Sequence, residues 1–123
     1  MSIKILRLRN RILDSLKLLA SPGNIQLSYF PEFVCKGDEL AASLNDWLEL
    51  YLQNNLYHSK FAFTPEELKK IIDLDNEISS LLADDFSDEA VLTSNKWQNI
   101  RKKAMDILKV LNEPYSPPNS DSI

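Results

Sequence analysis

The chain has few of the residues from which catalytic and metal sites are usually built. Its 123 residues include one cysteine, Cys35, and one histidine, His58. They can form neither an internal disulfide nor a zinc site of the two-histidine or multi-cysteine kind. The two glycines, Gly23 and Gly37, stand alone, which excludes a glycine-rich loop for binding phosphates. We therefore expect a protein that is not an enzyme and that holds no cofactor and no metal.

A long uninterrupted apolar run is missing as well. No stretch reaches the roughly 18–20 apolar residues of a membrane span. Near the start of the chain, Lys4, Arg7 and Arg9 alternate with apolar side chains, whereas a secretory signal places its positive charge ahead of an unbroken apolar segment. A single cysteine suits a reducing compartment. These features predict a cytoplasmic protein that does not act at a membrane.

The histidine and the cysteine both lack the sequence surroundings of a reactive residue. No nucleophile motif is present for His58 to activate, so we interpret it as a loop histidine. Cys35 follows Phe33 and Val34, and we predict that it is a small buried apolar residue. Neither residue is therefore a candidate for chemistry.

Apolar residues recur at spacings of three and four along most of the chain, which is the pattern of amphipathic helices. This pattern predicts an all-α fold with one helical domain over residues 1–112 and a flexible tail over residues 113–123. We expect four main helices and one short helical turn, placed at about 3–20, 38–54, 65–83, 90–92 and 95–112. The clearest start signal is Thr64-Pro65-Glu66-Glu67, a capping box with proline at the first helical position. Ser87 and Ser94 are the expected caps of the short turn and the last helix.

One apolar segment does not fit the helical pattern. Residues 25–35 contain Pro31, which lacks a backbone donor and biases Phe30 away from helix. We predict an extended segment packed across the bundle, with Phe30, Phe33 and Val34 buried. An edge strand is the alternative.

The net charge of −4 conceals an uneven distribution. Five basic residues and one acidic residue give residues 1–20 a charge of +4, and five against three give residues 96–123 a charge of +2. Residues 21–95 carry four basic and fourteen acidic residues, a charge of −10. With a pI of about 4.9, the chain is too acidic for a general nucleic-acid binder, which needs a basic face. The acidic middle either pairs with the basic terminal helices or offers a face to a basic partner.

The acidic residues with the fewest lysines near them in the sequence lie on the third helix and in the link that follows it. We call residues 84–89 the acidic connector. Their spacing does not match a calcium-binding loop, so we predict a partner-binding surface rather than a metal site. Its residues are Asp75, Glu77, Asp84, Asp85, Asp88 and Glu89.

Five short motifs, in this order, are familiar. They are Phe30–Val34, Asp38–Ala41, Thr64–Leu68, Leu74-Asp75 with Ile78, and Trp97–Ala104. Over residues 30–112 the chain resembles the small helical immunity proteins of bacterial contact-dependent growth inhibition and related polymorphic toxin systems. The resemblance implies a non-enzymatic cytosolic protein that binds and neutralises the toxin domain, often a nuclease, of a cognate effector. It assigns no toxin-contacting residue, because such surfaces differ from pair to pair.

Two further expectations remain open at this point. Arg101 lies one turn beyond Trp97, where it can stack on the indole or pair with a carboxylate. The alternative function is a helical adaptor or regulatory subunit unrelated to toxins, with Arg7, Arg9 and Arg11 of the basic first helix touching an acidic partner.

Overall fold

The all-α prediction is confirmed by a computed structural model, which describes residues 2–54 and 61–118. Within those ranges there is no strand. The helices are α1 (Ser2–Ala20), α2 (Gly23–Tyr29), α3 (Lys36–Asn54), α4 (Pro65–Ser79), α5 (Asp88–Thr93) and α6 (Asn95–Val110), with a 3-10 turn at Ala83–Phe86. His58 and residues 119–123 of the predicted tail lie outside the described residues.

The three predicted helix caps are confirmed. Thr64 Oγ1 accepts the Glu67 N–H at 3.1 Å, and Glu67 Oε1 accepts the Thr64 N–H at 2.8 Å. Ser87 Oγ accepts the Ala90 N–H at 3.1 Å, and Ser94 Oγ accepts the Lys96 N–H at 3.1 Å. Each cap satisfies backbone donors that have no partner inside the helix.

Helix α1 is the centre of the core and packs against both α3 and α6. The helical spacing of its leucines and isoleucines directs apolar side chains of α1 towards both of these helices. The largest fully buried apolar side chains come from α1, α3, α4 and α6, and they are Ile5, Ile12, Leu16, Leu19, Leu40, Leu44, Ile71, Leu74, Trp97, Ile100 and Leu108. The indole of Trp97 is satisfied by donating to the Asp85 carbonyl at 2.7 Å.

The predicted extended segment over residues 25–35 is wrong in its first half, and so is the edge-strand alternative. Residues Gly23–Tyr29 form α2, because the Pro22 carbonyl accepts the N–H groups of Ile25 and Gln26, both at 3.0 Å. A proline just before a helix needs no backbone donor. Pro31 follows the helix, and Phe30 before it is extended (φ −99°, ψ 150°) as expected.

Several burial predictions are also wrong. Phe33, expected as an apolar plug, is 87% exposed, and Cys35, expected to be buried, is exposed. Leu52 and Leu82, whose helical spacing with other apolar residues in the predicted helices 38–54 and 65–83 favours burial, are exposed as well. For Leu82 the reason is that α4 ends at Ser79, earlier than position 83. Ser80 ends it by donating both its N–H (3.1 Å) and its hydroxyl (2.6 Å) to the Glu77 carbonyl.

One close approach joins the 3-10 turn to the start of α3. A Cβ atom added at Gly37 would lie 2.6 Å from the Phe86 carbonyl carbon and 2.8 Å from its Cα. Only glycine leaves room for this contact. It fixes the acidic connector beside the first turn of α3, which itself carries Asp38 and Glu39.

A polar network joins the ends of two helices to α6. Gln26, which is fully buried, donates through Nε2 to the carbonyls of Leu18 (3.1 Å) and Leu19 (3.0 Å) at the end of α1. Arg101 donates to Gln26 Oε1 and to the Val91 carbonyl, both at 2.9 Å. Its cation therefore lies against the C-terminal half of α5, where the helix dipole favours positive charge, and it is linked to the end of α1 through Gln26. Arg101 thus binds these groups rather than a carboxylate or the Trp97 ring, and burial lowers the pKa of its guanidinium.

The segment after α6 turns back onto α1. Asn112 adopts a left-handed conformation (φ 55°), and the Glu113 N–H bonds the Leu108 carbonyl at 2.9 Å. Glu113 then pairs with Lys17 at 3.1 Å, and the Tyr115 hydroxyl lies 2.8 Å from Ser21 Oγ. Residues 113–115, at the start of the predicted tail, therefore lie against α1.

Candidate functional site

The six carboxylates predicted as a partner surface divide into two groups. Asp75 is only 8% exposed, and its Oδ2 accepts the Asn45 Nδ2 donor at 2.9 Å. Glu77 lies 2.8 Å from Lys103 Nζ on α6. Asp85 pairs with Lys96 Nζ at 3.0 Å. These three side chains are engaged within the molecule, and Asp75 is too buried to form part of a contact surface.

Asp85 holds the acidic connector in place. Its Oδ2 accepts the Leu82 N–H at 2.8 Å and Lys96 Nζ at 3.0 Å. The Leu82 hydrogen bond, followed by that from Lys96, holds the pKa of this carboxyl below its ordinary value. Together with the Trp97 indole bond to the Asp85 carbonyl, these contacts tie the 3-10 turn to the first turn of α6.

Asp84, Asp88 and Glu89 form the second group. All three are exposed, and within the described residues none lies in an ion pair. Gly37 brings this part of the chain against the start of α3, where Asp38 and Glu39 are exposed and pair with no cation of the described ranges. The structure therefore extends the unpaired acidic surface onto α3.

A groove between α1, the end of α2 and α3 continues this surface. We call it the α1–α3 groove; its volume is about 240 Å³. It is lined by Arg11, Asp14, Ser15, Leu18, Tyr29, Phe30, Glu39, Ala42, Ser43, Asp46 and Trp47. Ala42 also lines a second groove with Asp38 and Phe86, so the two grooves adjoin at the N-terminal half of α3.

The charge in the α1–α3 groove is mostly negative. Asp14, Glu39 and Asp46 are exposed, and no cation among the described residues lies within ion-pair distance of any of them. The cation that lines the groove, Arg11, lies over the Trp47 ring, with its guanidinium carbon 5.3 Å from the ring centroid. The groove thus combines three unpaired carboxylates with aromatic walls.

The sequence alone does not predict the α1–α3 groove. Glu39 and Asp46 are seven residues apart, a spacing that places both on one helix face. No local signal brings Asp14 of α1 and the rings of Tyr29 and Phe30 to the same place. Trp47, whose helical spacing with neighbouring leucines favours a core position, is half-buried at this wall.

Three of the five basic residues of α1 contact other groups of the molecule. The Arg9 guanidinium carbon lies 4.5 Å from the Phe63 ring centroid, and its Nη1 donates to the Phe61 carbonyl at 3.4 Å. Arg11 lies on Trp47, and Lys17 pairs with Glu113. Lys96 and Lys103 of α6 pair with Asp85 and Glu77. Helix α6 therefore neutralises part of the acidic middle, and several of the carboxylates that have no ion pair among the described residues lie on or beside α3.

No three histidine, cysteine or acidic side chains of the described ranges gather in a way that could hold a metal ion. None of the helices described above has the length and apolar character required to cross a membrane. The chain matches no protein-family model, no curated protein and no solved structure.

Proposed function

We propose that the protein is a non-enzymatic, cytoplasmic immunity protein. It binds the toxin domain, in our proposal a nuclease, of a cognate contact-dependent growth inhibition effector and neutralises it. Support comes from the motifs described in the sequence analysis. The observation that carries the proposal is the unpaired acidic surface around α3, which suits the basic substrate-binding face of a nuclease.

The mechanism is occlusion by a stoichiometric complex. Complementary charge raises the rate of encounter and sets the orientation of the partners. Rings and apolar groups at the centre of the contact then slow dissociation. Because exposed charges are screened over about 8–10 Å at ordinary ionic strength, the association rate should fall as salt is added.

The adaptor alternative gains no comparable support. It relied on a basic first helix that is free to contact an acidic partner. Arg9 is half-buried against the Phe63 ring, and Arg11, although exposed, lies over the Trp47 ring. Among the described residues, Arg7 is the exposed arginine of that helix without an aromatic or ionic contact.

Co-expression tests the function directly. The partner is the C-terminal domain encoded by the large toxin gene that should lie directly upstream. We expect cells to survive expression of that domain only when this protein is present, and the two purified proteins to form a 1:1 complex. Cell death despite co-expression, with both proteins soluble, would contradict the proposal.

Charge reversal tests the acidic connector separately. The variant Asp84→Lys/Asp88→Lys/Glu89→Lys leaves Asp85 intact, because Asp85 holds Leu82 and Lys96. We expect slower association with the toxin domain and a weaker dependence on salt. Unchanged association kinetics would remove the connector from the contact surface without affecting the proposed function.

A further inference from the structure

The α1–α3 groove has the composition of a receptor for one cationic side chain. Its volume of about 240 Å³ lies below the roughly 300–1,000 Å³ of small-molecule pockets, so a single long side chain suits it better than a ligand. Asp14, Glu39 and Asp46 supply acceptors without a cation of their own. Trp47 and Phe30 supply aromatic rings, on which a guanidinium stacks more often than an ammonium group does.

Arg11 shows that the wall of this groove accepts a guanidinium. Its cation lies 5.3 Å from the Trp47 ring centroid, within the range of a cation–π contact. Even with Arg11 included, the lining carries three carboxylates against one cation. A second guanidinium entering from outside would meet an excess of acceptors.

An exposed aromatic residue close in sequence to the groove lining indicates that the incoming group belongs to a protein. Phe33 is 87% exposed, three residues beyond Phe30, whose side chain lines the groove. Pro31 lies between them and restricts the backbone of this loop. An aromatic side chain held in solvent on a restricted loop is suited to insert into a partner, and aromatic anchors beside charged pockets are typical of binding hot spots.

We propose that the α1–α3 groove receives an arginine side chain of the toxin domain while Phe33 packs on the toxin surface beside it. This inference rests on the proposed function. In this arrangement the strongest contact lies on α1, α3 and the Phe30–Cys35 loop. The acidic connector lies at the edge of the interface, where its charge orients the approaching toxin domain.

The first experiment compares two charge reversals in the full chain. Asp46→Lys places a cation in the groove at a mid-helix position that lysine suits well. Glu66→Lys makes the same change in net charge at an exposed position in the first turn of α4, outside the groove. We expect Asp46→Lys to weaken binding of the upstream toxin domain at least about 30-fold, mainly through faster dissociation. Glu66→Lys should change affinity less than about threefold.

Phe33→Ala gives an independent measurement. Because Phe33 is almost fully solvent-exposed, its removal should leave the thermal unfolding midpoint unchanged. We expect the affinity to fall at least about tenfold. If wild-type protein binds the toxin domain and both Asp46→Lys and Phe33→Ala bind it equally well, the groove proposal is overturned and the immunity function stands.

The second experiment needs no toxin. N-acetyl-arginine amide is titrated into the ¹⁵N-labelled protein while the two indole N–H resonances are observed. We expect the Trp47 resonance to shift and that of the fully buried Trp97 to stay. N-acetyl-glutamine amide should shift neither, and Asp46→Lys should abolish the arginine response. If the Trp47 resonance does not respond to the arginine compound, or still responds in Asp46→Lys, the proposal that the groove binds arginine is refuted. This holds whatever the outcome of the co-expression test.

Discussion

The buried network around Gln26 provides the most demanding test of how the helices are held together. The substitution Gln26→Leu keeps the approximate volume of a side chain that is fully buried. It removes the donor to the Leu18 and Leu19 carbonyls and the acceptor for Arg101. All three partners remain in place without their hydrogen bonds.

The structure sets the size of the expected effect. Each neutral hydrogen bond contributes about 1 kcal/mol and a bond to a charged group about 2 kcal/mol, so the loss is about 4 kcal/mol. Burial of the apolar leucine side chain offsets roughly 1 kcal/mol of this loss of stability. The net cost of about 3 kcal/mol is a large part of the roughly 5–15 kcal/mol that stabilises a domain, and it corresponds to a fall in Tm of roughly 12 °C.

Urea unfolding followed by helical circular dichroism measures this cost. Ser28→Ala serves as the control on the same helix, because the Ser28 hydroxyl is exposed, and it should cost less than about 0.5 kcal/mol. In an Arg101→Met background, Gln26→Leu should cost less by about 1–3 kcal/mol, the coupling energy of the pair. A single-variant cost below about 1 kcal/mol, or additive effects of the two changes, would refute the reasoning.

Three other predictions concern local contacts. Gly37→Ala should destabilise the protein by about 1–3 kcal/mol through its clash with the Phe86 carbonyl. In a helix with open space at this position, the same change would stabilise the protein by up to about 1 kcal/mol. A lower urea midpoint would therefore confirm the clash, and a higher midpoint would contradict it. Asp75→Asn should leave the unfolding free energy unchanged or raise it by about 1 kcal/mol, because Oδ1 is buried without a hydrogen-bond partner; a clear loss of stability would show that the charge is needed. Because hydrogen bonds lower the pKa of Asp85 in the folded state, its stabilising contribution is complete above the ordinary carboxyl pKa and is lost as pH falls through the folded value. Asp85→Asn should therefore flatten the acid side of the stability curve, and an unchanged acid side would contradict that assignment.

Features set by local chemistry were predictable from the sequence. The capping box at Thr64 depends on residues within three positions of each other, and so do the caps at Ser87 and Ser94. The periodic apolar faces of α1 and α6 depend on spacing within one helix. In each case the deciding interaction lies within a single turn, so no knowledge of the tertiary fold was needed.

The errors arose where a residue's environment is set by distant parts of the chain. Pro31 was taken to disrupt its whole apolar segment, but it only follows α2, and Pro22 helps to begin that helix. Asp75 was placed on the surface because it is charged, although Asn45, thirty residues away, binds it in a buried position. The Gln26–Arg101 bond spans 75 residues. For the same reason the six predicted surface carboxylates include three that are engaged internally, and the α1–α3 groove was found only in the structure.

The central position of α1 has a consequence for synthesis and folding. Ile12, Leu16 and Leu19 of α1 need α3 and α6 to cover them, but α6 leaves the ribosome some ninety residues after α1. Contacts of such long sequence separation form slowly, because a large loop must close before they do. Until then, the apolar stripe of α1 remains exposed and able to aggregate. Helix α1, which is made before α3 and α6, is therefore enclosed only after both have followed it, and a chain that stops before α6 cannot complete the core.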